Sequence, residues 1–253
     1  MNIVPYDYRQ FIRAMDRAVE EGDISEERID DAVRRILRAK FALGLFENPF
    51  GNEALLDTVG SDEHREVARQ AVRESLVLLQ NRDGVLPLST DAERIFVSGI
   101  PADDVGIQSG GWTIEWQGFS GNDRTPGTSI LAAIEGSVGA DTDVVYDRFG
   151  KFEQEVDEDG EPLMADVGIV VIGERPYAEG RGDSDELSLN LTQVERMAER
   201  AEKVVVIIIS GRPMIMTEGL GIADAWVAAW LPGTEGQGVT DVLFGDYPFT
   251  GKL

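Results

Sequence analysis

Apolar residues recur every three to four positions through the first eighty residues and then gather into short unbroken runs. Tyr8, Phe11, Ile12, Met15 and Val19 follow helical spacing behind Asp7, a good N-cap residue, and Gly22 ends that run. Ser25 caps a second predicted helix with Ile29, Ala32, Val33, Ile36 and Leu37 on one face, and Ile24 and Ile29 are placed as a hydrophobic staple across its start. Two stripes of this size need a larger partner. Turn signals at Asn48-Pro49 and Gly51-Asn52 predict a linker over 47–60. A long helix is then predicted from Ser61, carrying Val67, Ala68, Ala71, Val72, Leu76 and Leu79 inward.

Beyond Asp83-Gly84 strands and helices alternate. Ile95–Val97 and Val144–Tyr146 read as short strands, and Thr128–Glu135 as the helix between them. Val167–Ile172, Val204–Ile209 and Ala225–Leu231 are continuous apolar runs, the pattern of strands buried on both faces. Thr192 with Glu195 three residues on reads as a capping box opening a helix, and Gly238–Phe244 as a last short helix. The alternation predicts an α/β fold: a three-layer sandwich around a mostly parallel sheet.

Composition narrows the function classes. Hydrophobic residues are 42% of 253 and charged ones 28%, enough for a core and against wholesale disorder. Lys and Arg number 23 against 47 Asp and Glu, a net charge of −24 that excludes nucleic acid and acidic membrane surfaces as main partners. Lysine occurs only at 40, 151, 203 and 252; so few lysines among so many carboxylates suit either a high-salt milieu or an ordinary acidic protein. There is no cysteine and the one histidine is His64, so neither disulfides nor a His-based zinc site can form. No apolar run approaches the ~18 residues of a membrane span. The first residues, Met-Asn-Ile-Val-Pro-Tyr-Asp, do not read as a signal peptide.

No G-x-G-x-x-G follows a predicted strand, and Gly245–Lys252 has one residue too many for a Walker loop, with Leu253 where Ser or Thr would bind magnesium. G-x-S-x-G is absent, which argues against a serine hydrolase. Two segments stand apart. Gly110-Gly111-Trp112-Thr113-Ile114-Glu115-Trp116-Gln117-Gly118 sets two indoles in a glycine-rich loop, suited either to stacking on sugar faces or to plugging a gap in the core. Gly173-Glu174-Arg175-Pro176-Tyr177-Ala178-Glu179-Gly180-Arg181-Gly182-Asp183 follows a buried strand, where open α/β sheets place ligand groups. A carboxylic acid there suits general acid catalysis if its surroundings raise its pKa; the alternative is a solvated loop in an acidic protein.

These loops complete a series that resembles glycoside hydrolase family 3, the β-glucosidases and β-glucan exohydrolases. The series runs through Met1–Pro5, Arg28–Val33 to Phe41-x-x-Gly44-Leu45-Phe46, His64-Arg65 to Leu76–Asn81, the tryptophan loop, Gly173-Glu174-x-Pro176-Tyr177-x-Glu179, Ser210-Gly211-Arg212-Pro213 and Ala229–Gly236. The resemblance implies a (β/α)8 barrel, a linker and an α/β sandwich leaning over the barrel mouth. It further implies retaining hydrolysis by two carboxylates ~5–5.5 Å apart. On this basis residues 1–46 are the last helices of a truncated barrel, 47–60 the linker and 61–253 a C-terminally shortened sandwich. Glu179 takes the place of the acid/base, and Trp116, with Trp112 beside it, that of the +1 sugar clamp. Glu174 is the alternative acid, less favoured because Arg175 or Arg181 could hold it.

The implied partners are β-linked glucosides or oligosaccharides and the barrel half of the same protein, with no cofactor and no metal. The β-glucan branch often exports its enzymes, but localisation is left open. The Ser-Asp-Trp type of segment that carries the family's nucleophile does not occur in these residues. The chain therefore reads as a fragment, inactive by itself and prone to self-association through Phe11/Met15/Val19 and Ile29/Val33/Ile36. The competing expectation is a non-catalytic carbohydrate-binding or interaction module.

Overall fold

The computed structural model describes residues 2–253, so Met1 lies outside the described residues. The chain divides into two compact units, one ending at Val59 and one running from Gly60 to Leu253.

In the first unit, α1 (Tyr8–Glu20) and α2 (Glu26–Ala42) begin where the capping residues predict. Asp7 accepts from the Gln10 N–H and Ser25 from the Arg28 N–H. Phe11, Met15, Val19, Ile29, Ala32 and Ile36 are half-buried, and neither helix contains a fully buried residue. A short 3-10 turn, Glu53–Thr58, follows.

The second unit is built on a six-stranded sheet. Its strands are β1 (Val77–Asn81), β2 (Arg94–Ser98), β3 (Asp143–Asp147), β4 (Ala165–Gly173), β5 (Ala201–Ile209) and β6 (Ala225–Trp230), in the spatial order β1-β6-β5-β4-β2-β3. All neighbours are parallel except the edge pair β1 and β6. The apolar runs bury both faces by simple alternation. Val97, Val167, Ile169, Val171, Val205, Ile207 and Val227 pack on one side with Val72, Ile130, Ile134, Val239 and Leu243, which come from α3 (Asp62–Ser75), α5 (Ile130–Ser137) and α7 (Gly236–Leu243). Phe96, Val170, Ile172, Val206, Ile208 and Trp226 pack on the other with Val194 and Met197 of α6 (Thr192–Ala198). The result is the expected three-layer α/β sandwich.

Three local expectations are corrected. The helix from Ser61 ends at Ser75, and Leu79 lies in β1, hydrogen-bonded antiparallel to β6. Val72, Leu76 and Leu79 keep helical spacing, and periodicity cannot tell so short an apolar run from a strand. Within α3, Val67, Ala68 and Ala71 face outward (Val67 is 70% exposed), while Arg65, Arg69 and Arg73 point toward α7. Thr192 is not a cap either; its N–H is taken by the Asn190 side chain at 3.0 Å, and the predicted capping box does not form.

Candidate functional site

The topology locates the site. From β2 the chain passes through α5 to β3 on one side; from β4 it passes through α6 to β5 on the other. The connections diverge between β2 and β4, and a crevice opens beyond the carboxyl ends of such a pair. Here it is a cleft of about 340 Å³ with Ile100, Ile107 and Ile172 among its apolar residues and Glu174, Arg175 and Gln193 among its polar ones. Both unusual loops spring from this edge: the tryptophan loop follows β2 through a short helix, α4 (Val105–Ser109), and residues 174–183 follow β4.

The tryptophan loop is held at its base by buried polar groups. Asp104, 4% exposed, caps α4 at the Ile107 N–H (2.8 Å) and also accepts from the Gly121 N–H (2.7 Å), tying the two ends of the loop together. Gln108 bridges to the carbonyl of Gly233 and the N–H of Ile130. At the tip, Trp112 and Ile114 adopt φ values of 61° and 60°, a region that costs side-chain-bearing residues energy and is favoured only where neighbours impose it. Trp112 is 70% and Trp116 54% exposed, so neither plugs the core. Their rings lie 6.3 Å apart at 56°, an open corner of two indole faces and not a parallel sandwich.

Residues 174–182 are anchored by charge. Glu174, with its side chain 15% exposed, receives Arg212 through Nε (3.0 Å) and Nη2 (2.5 Å), and its other oxygen accepts the Tyr177 hydroxyl at 3.0 Å. The guanidinium that holds Glu174 is therefore Arg212, not Arg175 or Arg181. Burial, then the hydrogen bond to Glu174 and its charge, push the Tyr177 phenol above its usual range, with Arg212 opposing. Glu174 is thus committed to internal contacts, whereas Glu179 at the tip is exposed.

Glycine backbone lets the two loops touch. A Cβ on Gly111 would sit 1.9 Å from the Tyr177 carbonyl oxygen, and one on Gly118 would sit 2.6 Å from the Pro176 side chain. Across this seam the Gln117 side chain accepts the Ala178 N–H (2.9 Å) and donates to the Glu179 carbonyl (3.3 Å). Trp116 donates its indole N–H to Glu179 Oε2 at 2.5 Å. The carboxylate and both indoles therefore share one surface, with Glu174 set back beneath it. Sequence reasoning gave no role to Gln117, Arg212, Asp104 or Gln108. The one signal was the glycine pair Gly111 and Gly118, which marks a close backbone approach.

Residues 76–253 match the family model described as the glycosyl hydrolase family 3 C-terminal domain. The chain is 36% identical over 270 residues to a lysosomal beta glucosidase of Dictyostelium discoideum, covering 100% of the chain and 33% of that protein. It is similar to the crystal structure of a mutant exo-1,3/1,4-beta-glucanase from a Pseudoalteromonas species, with a TM-score of 0.82 and 37% identity, covering 99% of this chain and 42% of that one. A mutant beta-glucosidase from Listeria innocua in complex with laminaribiose matches at a TM-score of 0.72 and 28% identity, over 91% of this chain and 32% of that one. The chain spans about a third of the length of the curated relatives it matches.

Proposed function

Because the chain belongs to glycoside hydrolase family 3 and contains its C-terminal domain, we propose that it is the part of a retaining, exo-acting β-glucosidase or β-glucan glucohydrolase that supplies the proton donor and the aromatic sugar platforms. Glu179 is the general acid/base; Trp112 and Trp116 hold the sugar. The observation that carries this reading is the hydrogen bond from Trp116 to the Glu179 carboxylate, made between loops 63 residues apart in sequence. A sugar ring lying on an indole of this corner would bring its glycosidic oxygen within reach of that carboxyl group.

The chemistry divides between two carboxylates. Glu179, protonated, gives its proton to the glycosidic oxygen as the bond to the anomeric carbon breaks and the alcohol departs. A second carboxylate bonds to the anomeric carbon, forming a glycosyl-enzyme. Glu179, now ionised, takes a proton from water as that water's oxygen attacks the same carbon and displaces the second carboxylate. These 253 residues contain no Ser-Asp-Trp segment. The nucleophile is therefore assigned to a barrel domain outside them, with α1 and α2 as that barrel's last helices, residues 47–60 as linker and 61–253 as the sandwich. The substrate class is β-linked glucosides and oligosaccharides, the class to which the laminaribiose held by the Listeria innocua relative belongs.

General acid catalysis alone gives only ~10²–10⁴-fold, so the chain by itself should leave an aryl β-glucoside essentially unhydrolysed. Joined to the nucleophile-bearing barrel it should turn the substrate over. Glu179→Gln should then cut kcat/KM by about 10²–10⁴-fold for an alkyl β-glucoside, and far less for a 2,4-dinitrophenyl glucoside, whose leaving group needs no proton. An alkyl glucoside rate close to wild type would remove Glu179 from this role. Sugar binding without turnover in the joined protein would favour a carbohydrate-binding module.

A further inference from the structure

We propose that Arg212 is a positioning residue for Glu179: from the loop after β5 it clasps both ends of the 174–182 loop, so that the loop's tip presents the carboxylate to Trp116. The proposal rests on Glu179 being the proton donor.

One guanidinium touches the start, middle and end of that loop. Nε and Nη2 hold the Glu174 carboxylate at 3.0 and 2.5 Å, Nη1 donates to the Gly182 carbonyl at 2.6 Å, and the guanidinium carbon lies 4.7 Å from the centre of the Tyr177 ring. Between these anchors the backbone turns tightly, with Gly182 N–H donating to the Ala178 carbonyl (2.9 Å) and Arg181 N–H to that of Glu179 (3.0 Å). Fixing Gly182 therefore fixes the turn that carries Glu179. Arg212 is held in its turn, because the Ser210 hydroxyl donates to its carbonyl at 2.7 Å and Pro213 follows it. With 24% of its side chain exposed and no hydrogen bond to Glu179, it acts through the loop and not on the substrate. Lysine cannot replace it. A single ammonium can reach the Glu174 carboxylate or the Gly182 carbonyl, but it lacks the planar fork that spans both and lies over a ring.

Two readouts separate positioning from mere stability. The chain has four tryptophans, hence four indole N–H resonances in a ¹⁵N-labelled sample, and Trp116→Phe identifies one of them. In the wild type that resonance should move as the Glu179 carboxyl takes up its proton, and Glu179→Gln should abolish the movement. Arg212→Met and Arg212→Lys should each shrink the movement by more than about half, with the resonances of Trp226 and Trp230 unmoved as proof of folding. An intact pH-dependent movement in either folded variant would overturn the proposal. Should Arg212→Met fail to fold, Arg212→Lys and Glu174→Gln carry the same test.

The second readout is kinetic, in the chain joined to its barrel. Arg212→Lys should lower kcat for an alkyl β-glucoside by about 10- to 100-fold while its KM, and the kcat/KM of the dinitrophenyl glucoside, change little. Full kcat in Arg212→Lys, beside a large loss in Glu179→Gln, would defeat the positioning role alone. Full kcat in Glu179→Gln would defeat the proton-donor reading, and the indole resonance would still report whether Arg212 places the carboxylate.

Discussion

At the scale of single residues, the site depends on atoms that are missing. Gly111 has no Cβ, and its backbone lies where one would meet the Tyr177 carbonyl oxygen at 1.9 Å, closer than any side chain tolerates. Gly111→Ala must therefore part the two loops. We expect a loss of about 1–3 kcal/mol in urea unfolding, the usual cost of overpacking, together with displacement of the Trp116 indole resonance toward its position in Glu179→Gln. Gly136 in α5 is the control, since nothing lies within 4 Å of its absent Cβ and its φ is ordinary; Gly136→Ala should gain about 0.4–1 kcal/mol. An unmoved Trp116 signal in Gly111→Ala would mean that the seam is not what brings Trp116 to Glu179. The sequence pointed to Glu179 and the indoles because they stand in recognisable strings. Gln117 and Arg212 stand in such strings too but received no role there, because what they do is set by partners 61 and 38 residues away, which no local pattern connects.

Among the strands, the long and deeply buried ones were the plainest in the sequence. β4, β5 and β6 announced themselves as apolar runs too short for helices and too uniform for a surface. β1 did not, since Leu76 and Leu79 continue the spacing of α3, and only pairing with β6 decides for strand. The inward face of α3 departs from its apolar stripe for a related reason: arginines dock this helix, and their partners lie far along the chain. Asp241, with its side chain 8% exposed, takes Arg69 at 2.5 Å and Arg73 at 2.7 Å, while Arg65 reaches the buried Glu235 at 3.2 Å. Truncating one partner of a buried pair costs about 3–5 kcal/mol. Arg69 remains about a third exposed, which screens its charge, so Asp241→Asn should cost about 2 kcal/mol by urea unfolding. Lys151→Ala, whose partner Glu153 is 71% exposed, should change nothing measurable. Equal effects from the two substitutions would show that the α3–α7 arginines rest on the surface and do not bind the elements together.

For the whole molecule the question is which electrostatic effect salt acts on more strongly. With 47 acidic against 23 basic side chains, most carboxylates have no cationic partner and repel one another across the surface. Raising the ionic strength from 0.01 to 1 M shortens the screening length from ~30 to ~3 Å and removes most of that repulsion. The same salt weakens attractive pairs, but the pairs at Asp241 and Glu235 have their carboxylates buried and are screened much less. Repulsion should therefore lose more than attraction, and the midpoint of thermal unfolding should rise with sodium chloride. A gain of 1 kcal/mol would appear as ~2–4 °C in a chain of this size. Screening also permits association through apolar side chains such as Tyr8, Ile12, Val33 and Phe41, which are exposed on α1 and α2. A midpoint raised by association would depend on protein concentration, whereas one raised by screening would not. Sulfate provides the remaining separation: screening is nearly complete by a few tenths molar, while exclusion of sulfate from the surface goes on stabilising beyond it. A midpoint that stays flat or falls in sodium chloride, at any protein concentration, would mean that the folded surface has arranged its carboxylates so that their mutual repulsion is already spent.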